Sequence, residues 1–195
     1  MADHSLNPEQ VQDVVCARSF KLVDSDGRIR ADLGLSSEDG SPGFTMYNKG
    51  GKAIVKIVTS ADGNPAFVLF DDYGKPRIGL HIVDGRPRLD LADEKGYLRL
   101  SLFTSEEQEL QLTFYDMDEK PRVSLLMKLD GESGIFLADK DGIHRCTLTI
   151  TPDGKPSLKM TDEYTYSRAE LDLSDLGNPE LRFNNESGNE FFSIP

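Results

Sequence analysis

Six arginines recur along the chain at near-constant spacing: Arg30, Arg77, Arg99, Arg122, Arg145 and Arg168, with Ile54 and Phe191 taking the two remaining places in the series. A guanidinium presents five donors in a planar fork, so a row of them can grip carboxylates or sulfates through paired hydrogen bonds. The column is the candidate ligand-binding feature of this sequence, its ligand an acidic group or an acidic partner. The plainer alternative is that these arginines neutralise the chain's own acids, including Asp32 and Glu170 nearby, while their stems cover backbone surface. Charge balance favours that alternative, since 22 Lys and Arg stand against 34 Asp and Glu, a net charge of -12.

Other reactive residue types are sparse or wrongly spaced. "DSDG" at Asp24–Gly27 and "DKDG" at Asp139–Gly142 share part of a calcium-loop pattern, but Leu22 and Leu137 occupy the first ligand place and Leu33 and Leu148 the last. Turn chemistry accounts for both. The three histidines, His4, His81 and His144, show no metal-ligand spacing. "HRC" at His144–Cys146 suggests a Cys–His pair, yet Cys146 falls in an apolar column, where structural burial is the expected role. No glycine-rich loop follows a strand and opens a helix, so nucleotide binding has no support. We expect no catalytic residues, no metal and no cofactor.

Composition sets outer bounds on function. The chain has 195 residues, 37% hydrophobic and 29% charged, with no Trp, which is an ordinary globular balance on the polar side. A charge of -12 repels the phosphate backbone that dominates nucleic-acid affinity, so nucleic acid is not an expected partner. No cationic start leads into an apolar stretch, and no run approaches the ~18 apolar residues of a membrane span, so we expect a cytoplasmic protein without a membrane partner. Cys16 and Cys146 are too few for a disulfide framework.

The elements that must position the arginines are repeats. An Asx residue returns at Asp24, Asn48, Asp71, Asp93, Asp116, Asp139, Asp162 and Asn185, marking eight units of 22–24 residues. Three residues later stands Gly27, Gly51, Gly74, Gly96, Glu119, Gly142, Thr165 or Gly188. Asx followed by two polar residues and Gly is a tight turn, because the Asx side chain bonds local backbone and Gly accepts positive φ. Two apolar columns precede each turn (Phe20 and Leu22 in the first unit) and two follow it (Ala31 and Leu33), and all thirty-two positions across the eight units are apolar. Period two is a strand pattern. The columns change parity across the turn, which supports a two-residue loop with Asx opposite Gly and places Phe20 across from Ala31. A second turn, in stretches such as "SADGNPA" (Ser60–Ala66) and "TPDGKPS" (Thr151–Ser157), joins one unit to the next and absorbs the length differences between units.

The expected fold is all-β: tandem β-hairpins forming an antiparallel meander, curled or closed, in one domain over residues 17–195. Residues 1–16 form an N-terminal segment with a short capping helix opened by Asn7, Pro8 and Gln10, whose Val11, Val14 and Val15 cover the first strand. A parallel β-solenoid of one coil per unit is the alternative. The pattern apolar-x-apolar-x-Asp-x-x-Gly-Lys/Arg-x-Arg-x-x-Leu, followed by Asp-Gly-x-Pro, resembles the tandem repeats of a group of uncharacterised bacterial proteins over nearly the whole chain after Ala17. That resemblance implies a bacterial source and brings no activity or substrate with it. The chain departs from the pattern at Gln108, Glu119 and Thr165, where turn glycines are replaced.

Regular architecture without an asymmetric cluster of reactive residues points to a non-enzymatic structural or protein-interaction scaffold. Thirty-two apolar positions, most of them large, cannot all stay wet, so self-association into a homo-oligomer is expected where the sheet does not close on itself. The alternative is a ligand-binding module, carbohydrate among its candidates, using the turn loops and the nearby Tyr47, Phe70, Tyr73 and Tyr115.

Overall fold

The computed structural model describes residues 15–60, 62–174 and 176–194, and the helix expected from Asn7 lies outside them save for Val15. Sixteen strands run from β1 (Ser19–Val23) to β16 (Glu190–Ile194) and pair strictly in sequence order, every pair antiparallel. The structure is a hairpin meander and not a solenoid. It is also not closed: β1 pairs only with β2 (Ile29–Leu35) and β16 only with β15 (Pro179–Asn184), and each strand touches only its neighbours in sequence. One sheet therefore forms the entire described fold, with no second layer behind it.

The Asx turns are alike in all eight units. In the first, the Gly27 N–H donates to the Asp24 carbonyl at 3.0 Å and the Asp24 N–H donates to the Arg28 carbonyl at 2.9 Å, so Asp24 faces two residues at once. Gly27, at φ 78°, is the extra residue of a bulge that only a left-handed conformation accommodates. The Asp24 carboxylate accepts the N–H groups of Asp26 and Arg28 through one oxygen, both at 3.0 Å. Asn48 makes the same two bonds to Gly50 and Lys52, at 2.9 and 3.0 Å.

A second irregularity follows each turn. In the first hairpin, Leu22 pairs with Ala31 while Val23 pairs with Ile29, which leaves Arg30 as the extra residue of the longer strand. The same step leaves out Arg77, Arg99, Arg122, Arg145 and Arg168, and in the other two units Ile54 and Phe191. This corrects the register expected from the sequence. Phe20 lies opposite Leu33, not Ala31, because two bulges of one residue each shift the pairing by two. A shift of two keeps every side chain on its face, so parity alone cannot detect it.

The inter-unit turns vary in length. Those after β4 (Ala53–Thr59), β8 (Leu98–Thr104), β10 (Pro121–Met127), β12 (His144–Ile150) and β14 (Ser167–Leu173) repeat the Asx-turn bonding, with Ser, Lys or Thr in place of Asx. The turn between β6 (Pro76–Val83) and β7 (Arg86–Ala92) holds only Asp84 and Gly85, both at positive φ, a two-residue loop that matches strand twist. The turn after β2 (Ile29–Leu35) carries one residue more than the common form. At the three places where glycine is replaced, the turn survives unchanged. Gln108, Glu119 and Thr165 adopt φ of 63°, 57° and 69° and keep the same two backbone bonds.

The strands sort side chains onto two unlike faces. One carries two unbroken rows of sixteen apolar residues, the first beginning Leu22, Ala31, Met46, Val55 and the second Phe20, Leu33, Phe44, Ile57. The other carries a central row beginning Lys21, Asp32, Thr45, Lys56 and ending Lys159, Glu170, Arg182, Ser193. Burial does not follow polarity. Among the described residues only Ala31, Gly79, Ser101 and Thr113 are buried, and the last three lie in the polar row. Seventeen of the thirty-two apolar-row residues are more than a third exposed, with Leu22 at 68%.

Candidate functional site

The arginine column is the first place to look for a site, and each of its six members meets its own unit's anchor aspartate, six residues upstream. The separations are 3.6 Å for Arg30–Asp24, 3.8 Å for Arg99–Asp93, 3.3 Å for Arg122–Asp116, 2.6 Å for Arg145–Asp139 and 3.7 Å for Arg168–Asp162, with Arg77–Asp71 in close contact. One carboxylate oxygen thus holds the turn while the other receives the guanidinium. The bulge makes this possible, because the extra residue displaces the arginine from the regular ladder. Several of the arginines also reach forward to the next unit. Arg30 donates to the Tyr47 carbonyl at 3.3 Å, Arg77 to that of Glu94 at 2.9 Å and Arg122 to that of Ala138 at 2.9 Å.

The two units without arginine carry the reason in their anchors. Where Ile54 and Phe191 stand in the bulge, the anchors are Asn48 and Asn185, which make the turn bonds but carry no charge. Charge on the anchor and charge in the bulge come and go together. Sequence reasoning identified both columns and missed this pairing, although the co-occurrence of Asn with an apolar bulge residue was there to be read.

Five of these anchors are held more acidic than an ordinary aspartate. At Asp24, Asp71 and Asp116 the N–H four residues ahead is the strongest influence, and with the arginine it holds the carboxyl below its usual range against the opposing effect of partial burial. At Asp93 and Asp139 partial burial is the largest single influence and pushes upward, but the backbone donors and the arginine together still lower the carboxyl.

The polar face holds two further networks. At its centre Asp90 accepts Arg88 Nε at 2.7 Å and the Ser101 hydroxyl at 2.5 Å, with His81 Nε2 at 3.9 Å. Arg88 also donates to the Ser101 hydroxyl at 3.1 Å, and Gln111 to the Thr113 hydroxyl at 3.0 Å. Two of the buried central-row residues are covered by a longer neighbour two positions away: Gln111 bonds to Thr113, and the His81 ring fills the space where a Cβ on Gly79 would lie. Ser, His and Asp meet here, but not in the order of a nucleophilic triad: the carboxylate stands between serine and histidine, and Ser101 is 0% exposed. The arrangement packs the sheet rather than presenting a nucleophile.

Toward the C-terminal end, Arg182 gathers Glu180 at 2.6 Å, Glu170 at 3.1 Å and Asp172, while Lys159 meets Glu170 at 3.0 Å. Partial burial pushes the Glu170 carboxyl up, but Ser167, Lys159 and Arg182 beside it outweigh that effect and bring it down to about 2.

The turn aromatics are dispersed. Tyr73 is 80% exposed with the Lys52 ammonium 5.7 Å from its ring, and Lys56 stands 5.6 Å from the Phe70 ring. Tyr47 lines a polar groove of about 500 Å³ over the first four strands, together with Lys21, Asp32, Thr45 and Lys56. Cys146 lies half-buried in the first apolar row and Cys16 is exposed; both are free. Among the described residues, no group of three or more His, Cys, Asp or Glu side chains is placed to hold a metal, and no helix is long and apolar enough to cross a membrane.

Compared with known proteins, the chain matches no family model and no curated protein, so its assignment rests on the repeat itself: sixteen consecutive antiparallel strands, two to a unit.

Proposed function

We propose that the protein is a non-enzymatic scaffold or protein-interaction module that self-associates. The observation that supports this reading is a sheet of sixteen strands in which each strand meets only its neighbours, so that nothing in the described chain covers its apolar rows. In this reading the arginine column serves the scaffold: each guanidinium neutralises its own unit's aspartate, and those of Arg30, Arg77 and Arg122 also tie successive hairpins together, which leaves little of the column for a ligand. Kinship with tandem-repeat bacterial proteins and a cytoplasmic location belong to the same proposal. The first is supported by the repeat pattern and the second by the two free cysteines. Solution mass by size-exclusion chromatography with light scattering tests the reading. A multiple of 21.7 kDa is expected at micromolar concentration, and a monomer refutes self-association.

A ligand-binding module is the second reading, favoured by the groove over the first four strands, where hydroxyls, both signs of charge and Tyr47 converge as a sugar would require. A glycan array without a hit refutes it.

A further inference from the structure

Resting on the self-association reading, we infer that the apolar face is covered by the apolar face of a second copy of this chain, the two sheets packing face to face and not edge to edge. The two apolar rows run without interruption across all sixteen strands, a strip roughly 70 Å long at ~4.8 Å per strand. No charged residue stands in either row. A partial third row beside them, toward the inter-unit turns, continues the same character with pairs such as Leu35–Pro42, Ile82–Pro87 and Ile150–Pro156. The seventeen most exposed residues of the two main rows leave on the order of 1,000 Å² of apolar surface, at roughly 60 Å² each. That exceeds the few hundred Å² a soluble monomer ordinarily shows and matches the ~800 Å² per partner of a stable interface.

The shape and charge of the strip select the occupant. It is far too long for a small ligand, and one helix can follow only a fraction of it. An anionic membrane surface needs a basic rim, whereas the arginines at one edge of this strip are matched by their own anchor aspartates and Glu106, Glu107 and Glu132 lie at the other, on a chain of net charge -12. A second copy has the same strand spacing and the same row pitch by construction, so its ridges keep step over the whole length. Two such sheets pack with strands nearly aligned about 10 Å apart, as in any sandwich, and a two-fold arrangement presents each row to its own counterpart. The carboxylates stay on the rims in solvent, so no like charges are buried.

Single-cysteine variants of the full chain test the assignment. In a Cys16→Ser, Cys146→Ala background, Leu80→Cys, Leu112→Cys and Leu148→Cys report the apolar face and Lys56→Cys the polar face. Expected is labelling by a thiol reagent about tenfold or more slower at the three apolar-face positions than at position 56, with the protection lost on dilution to monomer. An oligomer in which all four positions label at similar rates overturns the face-to-face assignment and leaves self-association standing. A monomer at every concentration overturns both. Should one leucine variant fail to assemble, the other two still give the comparison.

Discussion

Thr165→Gly is expected to stabilise the protein, contrary to the usual effect of introducing glycine. Thr165 sits at φ 69° in the position that glycine fills in six of the eight Asx turns. A left-handed conformation costs a non-glycine residue about 1–2 kcal/mol, and a β-branched side chain belongs at the upper end. Glycine removes that cost but adds about 0.5–1 kcal/mol of unfolded-chain freedom, which leaves a net gain near 1 kcal/mol. The side chain is exposed, so little packing is lost. Gly142→Ala gives the mirror experiment: its Cβ would meet nothing within 4 Å, so the expected loss of about 1 kcal/mol comes from φ 83° alone. Urea unfolding followed by circular dichroism at fixed protein concentration reads both. With a slope near 2 kcal/mol/M, the midpoints should move roughly 0.5 M in opposite directions. If Thr165→Gly leaves the midpoint unchanged or lowers it while Gly142→Ala also lowers it, the seventh turn is not the turn described here.

Glu119→Gly should gain much less than Thr165→Gly, since the Glu119 carboxylate accepts the Leu98 N–H at 2.7 Å and that bond is lost; the same urea titration compares them. A double-mutant cycle at Asp71 and Arg77 should show coupling. Asp71→Asn keeps the turn bonds, as Asn48 does, so the Arg77→Ile loss should shrink when Asp71→Asn is already present, and purely additive midpoints would exclude the pair as a unit. For Glu170, whose carboxyl is lowered from 4.5 to about 2, the extra stability is fully present above pH 4.5 and is lost as pH falls toward 2. Linkage sets a ceiling of roughly 3 kcal/mol, and about 1–2 after solvent screening. Glu170→Gln should therefore flatten the acid limb of the stability curve measured by denaturation between pH 2 and pH 6, and an unaltered limb would count against the network.

The strands, their order and the two faces were legible because a period near 23 and a period of two are both written in residue types. Phe20 and Leu22 before the turn and Ala31 and Leu33 after it do land on one face. Their register was not legible, since parity distinguishes odd shifts from even ones and the paired bulges at Gly27 and Arg30 add up to an even shift. The arginines are visible as a column but their partners are not, because the turn uses only one oxygen of the Asp24 carboxylate and residue type does not show that the other meets a guanidinium. The Asp90 network escaped for a different reason. Asp90, Ser101 and His81 come from three strands, and only the true register sets them side by side.

The strictly sequential pairing makes length a free parameter of this molecule. Removing one unit of about 23 residues would let the flanking strands meet with the same rows, the same bulge and the same ion pair, shortening the sheet by about 10 Å and disturbing nothing beyond the new seam. Such a chain works as a ruler whose graduations are hairpins, and copies with different unit counts would span different distances with identical local chemistry.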